Sequence, residues 1–413
     1  MNEIWPPFTH LKFAENPVNI VSSSGSYYFD EYGNKYIDAI SSWWVNIHGH
    51  SHPYIAQKIY EQAKDNAHSI FSGFTHPQAN KLANRILKHL PGNFSKVFFS
   101  DDGSTSVEVA LKMSIQFFKN KGQNRNKIIA FENGYHGDTF GSMSLSARNV
   151  FNLAFHDLLF DVVFIPVPDK KNFQSILNFL NNEINLEEVA AFIFEPLVQG
   201  AGGMVMYDGK LLDQLILKMK SAQIICIADE VMTGFGRTGK MFACEWLMQE
   251  PDIMCLSKGL TGGFLPLGLS VCKQFIYDGF ISEDKTHTFF HGHSYTANPI
   301  SCAAANASLD LFESEQTIEK IGFIYESHLQ FKNSMQNIIS EWEIRVCGTI
   351  IAFEYKQEKR EYLANKGAEI CLQLFQNGII IRPLGNVFYL LPPYCISKED
   401  LHYIYSKITG LLC

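Results

Sequence analysis

The chain has 413 residues, of which 46% are hydrophobic and 18% charged, and its formal net charge is −8. This composition is typical of a globular protein with a large core and excludes a disordered or fibrous chain. The acidic balance argues against nucleic-acid binding, because a phosphate backbone attracts a basic face and the sequence offers none. We find no run of 18 uncharged apolar residues, so we expect no membrane-spanning helix.

The cysteines and the first residues indicate a reducing compartment. The nine cysteines are odd in number and widely spaced, form no Cys-x-x-Cys pair, and lie mostly in apolar runs such as residues 224–227. These are properties of reduced core residues rather than of a disulfide framework. The N-terminus has neither the basic nor the apolar segment of a secretory signal. We therefore expect a cytoplasmic protein.

The hydrophobic pattern predicts an α/β protein. Residues 26–30 and 35–38 predict a β-hairpin. From residue 50 to about 300, short apolar runs alternate with amphipathic segments of helical length, including one at 105–120. Strands that are apolar on both faces and separated by helices indicate a mostly parallel central sheet with helices on both faces. The predicted strands lie at residues 97–100, 127–131, 162–165, 190–194, 224–228, 253–256 and 268–272.

The C-terminal part predicts a smaller α+β domain. A long helix follows residue 300, then a strand at 349–355, hairpin-like strands at 378–382 and 388–391, and a terminal helix. We expect three regions along the chain. Residues 1–46 form an N-terminal segment that joins the small domain, residues 47–308 form the large ligand-binding domain, and residues 309–413 form the small domain.

Two motifs resemble ligand-binding sites, one for nucleotides and one for metals, but the residues around them do not favour either function. Residues 234–239 match Gly-x-Gly-x-x-Gly, but the preceding strand ends near Asp229, whereas a dinucleotide fingerprint follows its strand directly. The same segment approaches a P-loop, yet Met241 stands where Ser or Thr would hold Mg²⁺. Three histidines within residues 48–52 suggest a metal tract, although an ordinary His-Pro turn is the favoured interpretation. We expect no metal site.

Three predicted strand ends carry chemistry that fits together. Ligands of such sheets bind beyond the carboxyl ends of the strands. Residues 101–106 open a helix with Gly and Ser, which suits a phosphate, although a capped helix start is the plain alternative. Asp229 ends a buried strand, where a carboxylate is costly without a cationic partner. Lys258 follows the next strand, a position at which a solvated surface lysine is the common alternative.

Together these groups meet the needs of pyridoxal 5′-phosphate. The helix start holds a phosphate, the acid keeps the pyridine nitrogen protonated, and the lysine amine bonds the aldehyde. An aromatic ring is also expected to stack on the cofactor. Tyr135, beyond the strand at 127–131, is the candidate.

The chain resembles the class III pyridoxal-phosphate aminotransferases of fold type I, from Trp5 to near the C-terminus. The class-wide marks lie at residues 103–104, 135–137, 229–231, 234–239 and 257–259. Narrower marks favour the branch of the class that acts in biotin synthesis, and they lie at residues 4–9, 41–44, 134–144, 199–204 and 381–383.

The resemblance implies transamination of 8-amino-7-oxononanoate to 7,8-diaminononanoate, with S-adenosylmethionine as the amino donor. Lysine is the alternative donor, and another class III enzyme acting on an ω-amino acid is the rival within the class. A non-catalytic cofactor-binding regulator is the rival from a different class. Such regulators usually carry a DNA-binding segment, and the sequence shows no basic helix-turn-helix.

The resemblance also implies roles for individual residues around the cofactor. Lys258 carries the cofactor covalently, Asp229 pairs with its pyridine nitrogen, and Tyr135 stacks on its ring. These three are the implied catalytic residues. Gly103 and Ser104 bind the phosphate.

A homodimer with shared active sites is implied as well. Ser294, with Gly292 beside it, reaches the phosphate of the cofactor in the neighbouring subunit. Phe8 stands where the family often has Tyr, and the missing hydroxyl leaves the donor open. Arg382 holds the acceptor's carboxylate and Trp43 lines the pocket. The full substrate-binding set is Phe8, Trp43, Tyr135, Arg237, Gly292 and Arg382, with Asp138 nearby and Gln199 in a loop of less certain role.

Overall fold

The computed structural model describes residues 3–13, 17–313, 315–358 and 363–413. Its centre is a seven-stranded sheet in which six strands run in one direction. The strand Gly268–Lys273 is antiparallel to both of its neighbours. The order across the sheet is Phe94–Ser100, Gly268–Lys273, Ile253–Leu256, Ile225–Asp229, Val189–Phe194, Lys127–Phe131 and Val163–Ile165.

Helices cover both faces of this sheet because its strands are apolar on both faces. In the strand Lys127–Phe131, Ile129 and Phe131 pack into one buried cluster, whereas Ile128 and Ala130 pack into the other. This confirms the predicted α/β class with a mostly parallel sheet. The helices in this part of the chain are Pro53–Asp65, Pro77–His89, Gly103–Asn120, Phe140–Leu145, Phe173–Asn182, Gly209–Ser221, Gln274–Asp278 and Pro299–Phe312.

A four-stranded sheet contains the predicted N-terminal hairpin, with Tyr27–Asp30 antiparallel to Lys35–Asp38. Ile20–Ser24 flanks the hairpin on one side. On the other side, Ile379–Ile380 pairs in parallel with Lys35–Asp38. The N-terminal strands therefore share a sheet with a C-terminal one, while the boundaries at residues 46 and 308 stay a prediction.

The predicted hairpin between residues 378–382 and 388–391 is wrong. The backbone of Ile379–Ile380 is bonded to Lys35–Asp38 instead, and Val387–Leu390 pairs antiparallel with Ile350–Tyr355 in a three-stranded sheet. The third strand of that sheet is Trp342–Cys347, which the sequence did not predict. The α-helices beyond residue 313 are Glu315–Met335, Lys366–Gln376 and Lys398–Leu412.

None of the helices in the described residues is long and apolar enough to cross a bilayer.

Candidate active site

Two adjoining cavities lie at the carboxyl ends of the central strands. The first, of about 430 Å³, is lined by the predicted residues Gly103, Ser104, Tyr135, Asp229 and Lys258. The second, of about 310 Å³, is lined by Phe8, Trp43, Tyr135, Lys258 and Arg382, among others. We call them the cofactor cavity and the substrate chamber. Lys258 and Tyr135 belong to both, so they stand where the two spaces meet.

The start of the helix Gly103–Asn120 forms one end of the cofactor cavity. Asp102 caps this helix by accepting a hydrogen bond from the Thr105 amide at 2.7 Å. The hydroxyl of Ser104 accepts from the Asp138 amide at 3.2 Å, and a Cβ atom on Gly137 would lie 2.2 Å from the same oxygen. The helix start is therefore capped by a side chain and also lies in close contact with the backbone at Gly137. The unpaired N–H groups of a helix start are suited to an anion.

Asp229 is buried at the tip of the strand Ile225–Asp229, with 4% of its surface exposed. Its Oδ2 lies 2.7 Å from Nδ1 of His136, and its Oδ1 accepts from the Val231 amide at 3.1 Å. The His136 amide donates to the Ser146 hydroxyl at 2.9 Å, which holds the segment in place. The sequence pattern does not indicate His136 as the partner of Asp229, although His136 lies next to Tyr135 in a class-wide mark.

Lys258 follows the strand Ile253–Leu256 and has a left-handed backbone, with φ of 41°. Its Nζ lies 5.0 Å from the centre of the Trp44 ring. Burial lowers the pKa of Lys258, and the carboxylates of Asp229 and Glu195 partly offset that effect. A lowered pKa makes the free amine more available as a nucleophile and as a base.

Glu195 connects Tyr135 to the loop at residues 199–204. Its Oε1 accepts from the Tyr135 amide at 3.1 Å and its Oε2 from the Gly200 amide at 2.8 Å. Burial, with a contribution from Asp229, raises the pKa of Glu195 to about 7. Burial and the nearby Asp138 carboxylate raise the pKa of Tyr135. Glu195 directly follows the strand Val189–Phe194, so its position at a strand end is a signal in the sequence of the same kind as that of Asp229.

Aromatic rings and the guanidinium of Arg382 define the part of the substrate chamber beside Lys258. The guanidinium of Arg382 lies 4.4 Å from the centre of the Trp43 ring. The Phe8 ring lies 5.3 Å from that of Trp43 and 6.0 Å from that of Phe151. An arginine stacked in this way keeps N–H groups available for a carboxylate. The chamber is therefore suited to an apolar chain with an acidic end.

Three of the residues with an implied cofactor-binding or substrate-binding role do not line either cavity. Arg237 is buried behind them, where its guanidinium donates to the carbonyls of Pro392 at 2.9 Å and Trp44 at 3.4 Å. Gly292 and Ser294 are exposed on the surface of the chain. Their implied contact with a neighbouring subunit stays a prediction.

The glycine motif at residues 234–239 and the histidines at residues 48–52 have structural roles. Residues 234–239 form a turn that is buried except at Gly239, and they do not open a helix. His50 Nε2 lies 2.8 Å from Asp38, and His48 Nε2 lies 3.0 Å from the Ser308 hydroxyl. Within the described ranges, no group of three or more His, Cys, Asp or Glu side chains is arranged to hold a metal ion.

The cofactor cavity provides groups that fit pyridoxal 5′-phosphate. A helix start faces the space needed for a phosphate, a buried carboxylate suits a protonated pyridine nitrogen, and a lysine amine is present for an aldehyde. Gly103, Ser104, Asp229 and Lys258 would hold the cofactor, and Tyr135 would cover it.

Comparison with known proteins gives the family. The sequence model of aminotransferase class III matches residues 12–412. An adenosylmethionine-8-amino-7-oxononanoate aminotransferase of Synechococcus elongatus is 45% identical, with 99% of this chain and 98% of the relative aligned. A protein of the same name from Geobacter sulfurreducens is 37% identical, with 97% and 93% aligned.

Solved structures agree with this assignment. The crystal structure of an adenosylmethionine-8-amino-7-oxononanoate aminotransferase from Methanocaldococcus jannaschii superposes with a TM-score of 0.92 at 35% identity, covering 99% of this chain and 97% of that one. A PLP-bound amine transaminase from an uncultivated Pseudomonas species gives 0.90 at 28% identity, covering 100% and 98%. The chain therefore belongs to the class III aminotransferases, and it is an enzyme of fold type I that depends on pyridoxal 5′-phosphate.

Proposed function

We propose that the enzyme aminates 8-amino-7-oxononanoate to 7,8-diaminononanoate in biotin synthesis, with S-adenosylmethionine as the donor. The observation that carries this proposal is the substrate chamber, in which Arg382 stacks on Trp43 beside Lys258. An arginine at one end of an aromatic space fits an aliphatic keto acid with a terminal carboxylate. The relatives that align over nearly the whole chain carry the name of this activity.

The residues that line the cofactor cavity have different chemical roles. When bound, pyridoxal 5′-phosphate supplies the aldehyde that receives the amino group and a ring that stabilises a carbanion. Asp229, held by His136, would pair with the pyridine nitrogen. Lys258 would act as the base that moves the proton of the donor's Cα, a role favoured by its lowered pKa. Gly103 and Ser104 would hold the phosphate.

The substrate chamber must accept two different molecules in turn. Arg382 binds the acceptor's carboxylate through two N–H groups, while the rings of Phe8, Trp43 and Phe151 contact its alkyl chain. The same aromatic faces attract a sulfonium cation, which supports S-adenosylmethionine as the donor. Phe8 offers no hydroxyl to a donor amine, so this position does not select the donor. Lysine is therefore the competing donor.

A cytoplasmic homodimer with shared active sites is part of the proposal. Support comes from the exposure of Gly292 and Ser294, which leaves them available to a second subunit. Phe290 and Tyr295, which flank this pair, are also exposed, at 77% and 65%. Apolar rings of that size on a surface are typical of an interface.

The activity is tested with purified enzyme saturated with pyridoxal 5′-phosphate. 8-Amino-7-oxononanoate is offered with S-adenosylmethionine, lysine, ornithine or 4-aminobutyrate, and 7,8-diaminononanoate is measured by mass spectrometry. We expect product with S-adenosylmethionine and little with the other amines. Product with lysine alone would assign the other donor, and no product with any amine would contradict the proposed acceptor.

A further inference from the structure

The loop at residues 199–204 contributes one residue, Ala201, to the wall of the substrate chamber. Its Ala201 lines the chamber and also a third cavity of about 310 Å³, which Gly202 and Gly203 line as well. We call this loop the chamber wall. Ala201 is the residue of the chamber wall that lines both spaces, and its side chain is small, so the position of the wall's backbone affects how much room a substrate finds.

The central-sheet side of the molecule holds the beginning of the chamber wall. Glu195 accepts from the Gly200 amide at 2.8 Å, and the Gln199 side chain donates to the Glu132 carbonyl at 2.8 Å. A Cβ atom on Gly202 would lie 2.4 Å from the Asn133 carbonyl, so the backbone of the chamber wall packs directly against the backbone at Asn133.

The end of the chamber wall is held from a different sheet. Arg345, in the strand Trp342–Cys347, donates through Nη2 to the Gly203 carbonyl at 2.9 Å and through Nε to the Met204 carbonyl at 3.2 Å. Gly203 and Met204 both have left-handed backbones, with φ of 96° and 50°. Such a conformation is strained at Met204 and persists only where the surroundings enforce it.

Carboxylates keep the arginine in place. Arg345 Nη1 forms an ion pair with Glu354 in the adjacent strand, and Glu343 lies 3.6 Å away. The side chains of Arg345 and Glu354 are only 10% and 12% exposed, so the pair is little screened by solvent. The fixed fork of the guanidinium reaches two carbonyls and a carboxylate at once, which a lysine cannot do.

We propose that Arg345, oriented by Glu354, is a positioning residue that sets the place of the chamber wall and thereby the fit of the substrate. Arg345 lines none of the three cavities around the active site, so it acts through the main chain of Gly203 and Met204. The inference rests on the proposed function only in assigning the chamber to the substrate.

The test compares Arg345→Met with a matched control, Arg125→Met. Arg125 is also a buried arginine that donates to two main-chain carbonyls, those of Ala222 at 3.0 Å and Val189 at 3.4 Å. It lies at the amino end of the central strands, opposite the cavities. Both substitutions remove two hydrogen bonds to main-chain carbonyls, but only Arg345→Met touches the chamber wall and also breaks an ion pair, which Glu354→Gln tests separately.

We expect Arg345→Met to raise the KM for 8-amino-7-oxononanoate about tenfold, the effect of losing roughly one hydrogen bond to a charged group. The kcat and the affinity for pyridoxal 5′-phosphate should change by less than about twofold, because the reacting atoms keep their partners. Amide hydrogen exchange within residues 197–207 should become faster. Arg125→Met should lower thermal stability without changing the KM or this exchange.

Two further variants keep the test decisive. Arg345→Lys should resemble Arg345→Met, and Glu354→Gln should shift the KM and the exchange in the same direction by a smaller factor, even if Arg345→Met does not fold. Unchanged exchange within residues 197–207 in the Arg345 and Glu354 variants would overturn the inference whatever the substrate proves to be. A KM increase of equal size in Arg125→Met would overturn it as well. If the unaltered enzyme does not aminate 8-amino-7-oxononanoate, the proposed acceptor fails while the exchange result still decides the role of Arg345.

Discussion

At the scale of single residues, burial determines what the acids and the amine of the cavity can do. Asp229 is 4% exposed and has a histidine partner at 2.7 Å, whereas Glu195 has two amide donors and a carboxylate neighbour. Replacing Asp229 by Asn should leave the cofactor bound but remove the charge opposite its pyridine nitrogen. We expect kcat to fall by roughly two orders of magnitude or more, measured as the rate of product formation at saturating cofactor.

Asp252→Asn is the control for this substitution. Asp252 is a buried aspartate that accepts from the Cys226 amide at 3.0 Å, at the amino end of a neighbouring strand. Its replacement should lower the melting temperature and leave kcat nearly unchanged. A near-normal kcat in Asp229→Asn would contradict the role assigned to the Asp229 carboxylate.

Glu195 gives a prediction about pH. Its pKa is raised from 4.5 to about 7, so the folded protein holds this proton where the unfolded chain has lost it. The resulting stability is present below pH 4.5 and is lost as the pH rises to about 7, a change on the order of 3 kcal/mol. In cofactor-free protein, the stability of Glu195→Gln relative to wild type should therefore increase between pH 5 and pH 8. Equal pH profiles in urea unfolding would refute this assignment.

At the scale of elements, the tryptophan turn at residues 41–44 is held in a strained shape. Ser41, Ser42 and Trp44 all have positive φ, of 54°, 61° and 68°. Asp38 supports the turn by accepting from the amides of Ile40 and Ser42, and its Oδ2 also contacts His50. Backbone strain of this kind is found at functional sites and needs such support.

Asp38→Asn should release this turn. An amide side chain has one oxygen acceptor and places an N–H group among donors, so we expect a loss of about 2 kcal/mol in unfolding free energy and weaker substrate binding. Asp30→Asn is the matched control, because Asp30 likewise accepts from two amides, but in the hairpin turn at residues 30–34. Chemical denaturation and the KM for both substrates measure the effects. A KM increase in the control equal to that in Asp38→Asn would contradict the assignment.

The sequence predicts the buried strands and their ends well, for a physical reason. Apolar runs such as Val189–Phe194 are buried along their whole length, and the ligand-binding side chains of a parallel sheet lie where such runs end. Pairing over long separations was not predictable: Ile379–Ile380 joins Lys35–Asp38, and no local pattern encodes that partner. Side-chain contacts between segments, such as His136 with Asp229, were missed for the same reason.

At the scale of the whole molecule, the proposed shared active sites predict complementation between two inactive variants. Lys258→Ala lacks the amine, and Ser294→Arg places a bulky side chain at the residue implied to contact the partner's cofactor. In a mixed dimer, one site combines Lys258 from the second variant with Ser294 from the first, so activity should return after subunit exchange. Mixtures that stay inactive, although mass spectrometry shows mixed dimers, would contradict shared sites.

The most direct measurement concerns the covalent link at Lys258. Enzyme loaded with pyridoxal 5′-phosphate is reduced with sodium borohydride, digested and analysed by mass spectrometry. The account predicts a phosphopyridoxyl group on the peptide that contains Lys258, and neither this label nor turnover in Lys258→Ala. A label on another lysine, or full turnover in Lys258→Ala, would contradict it.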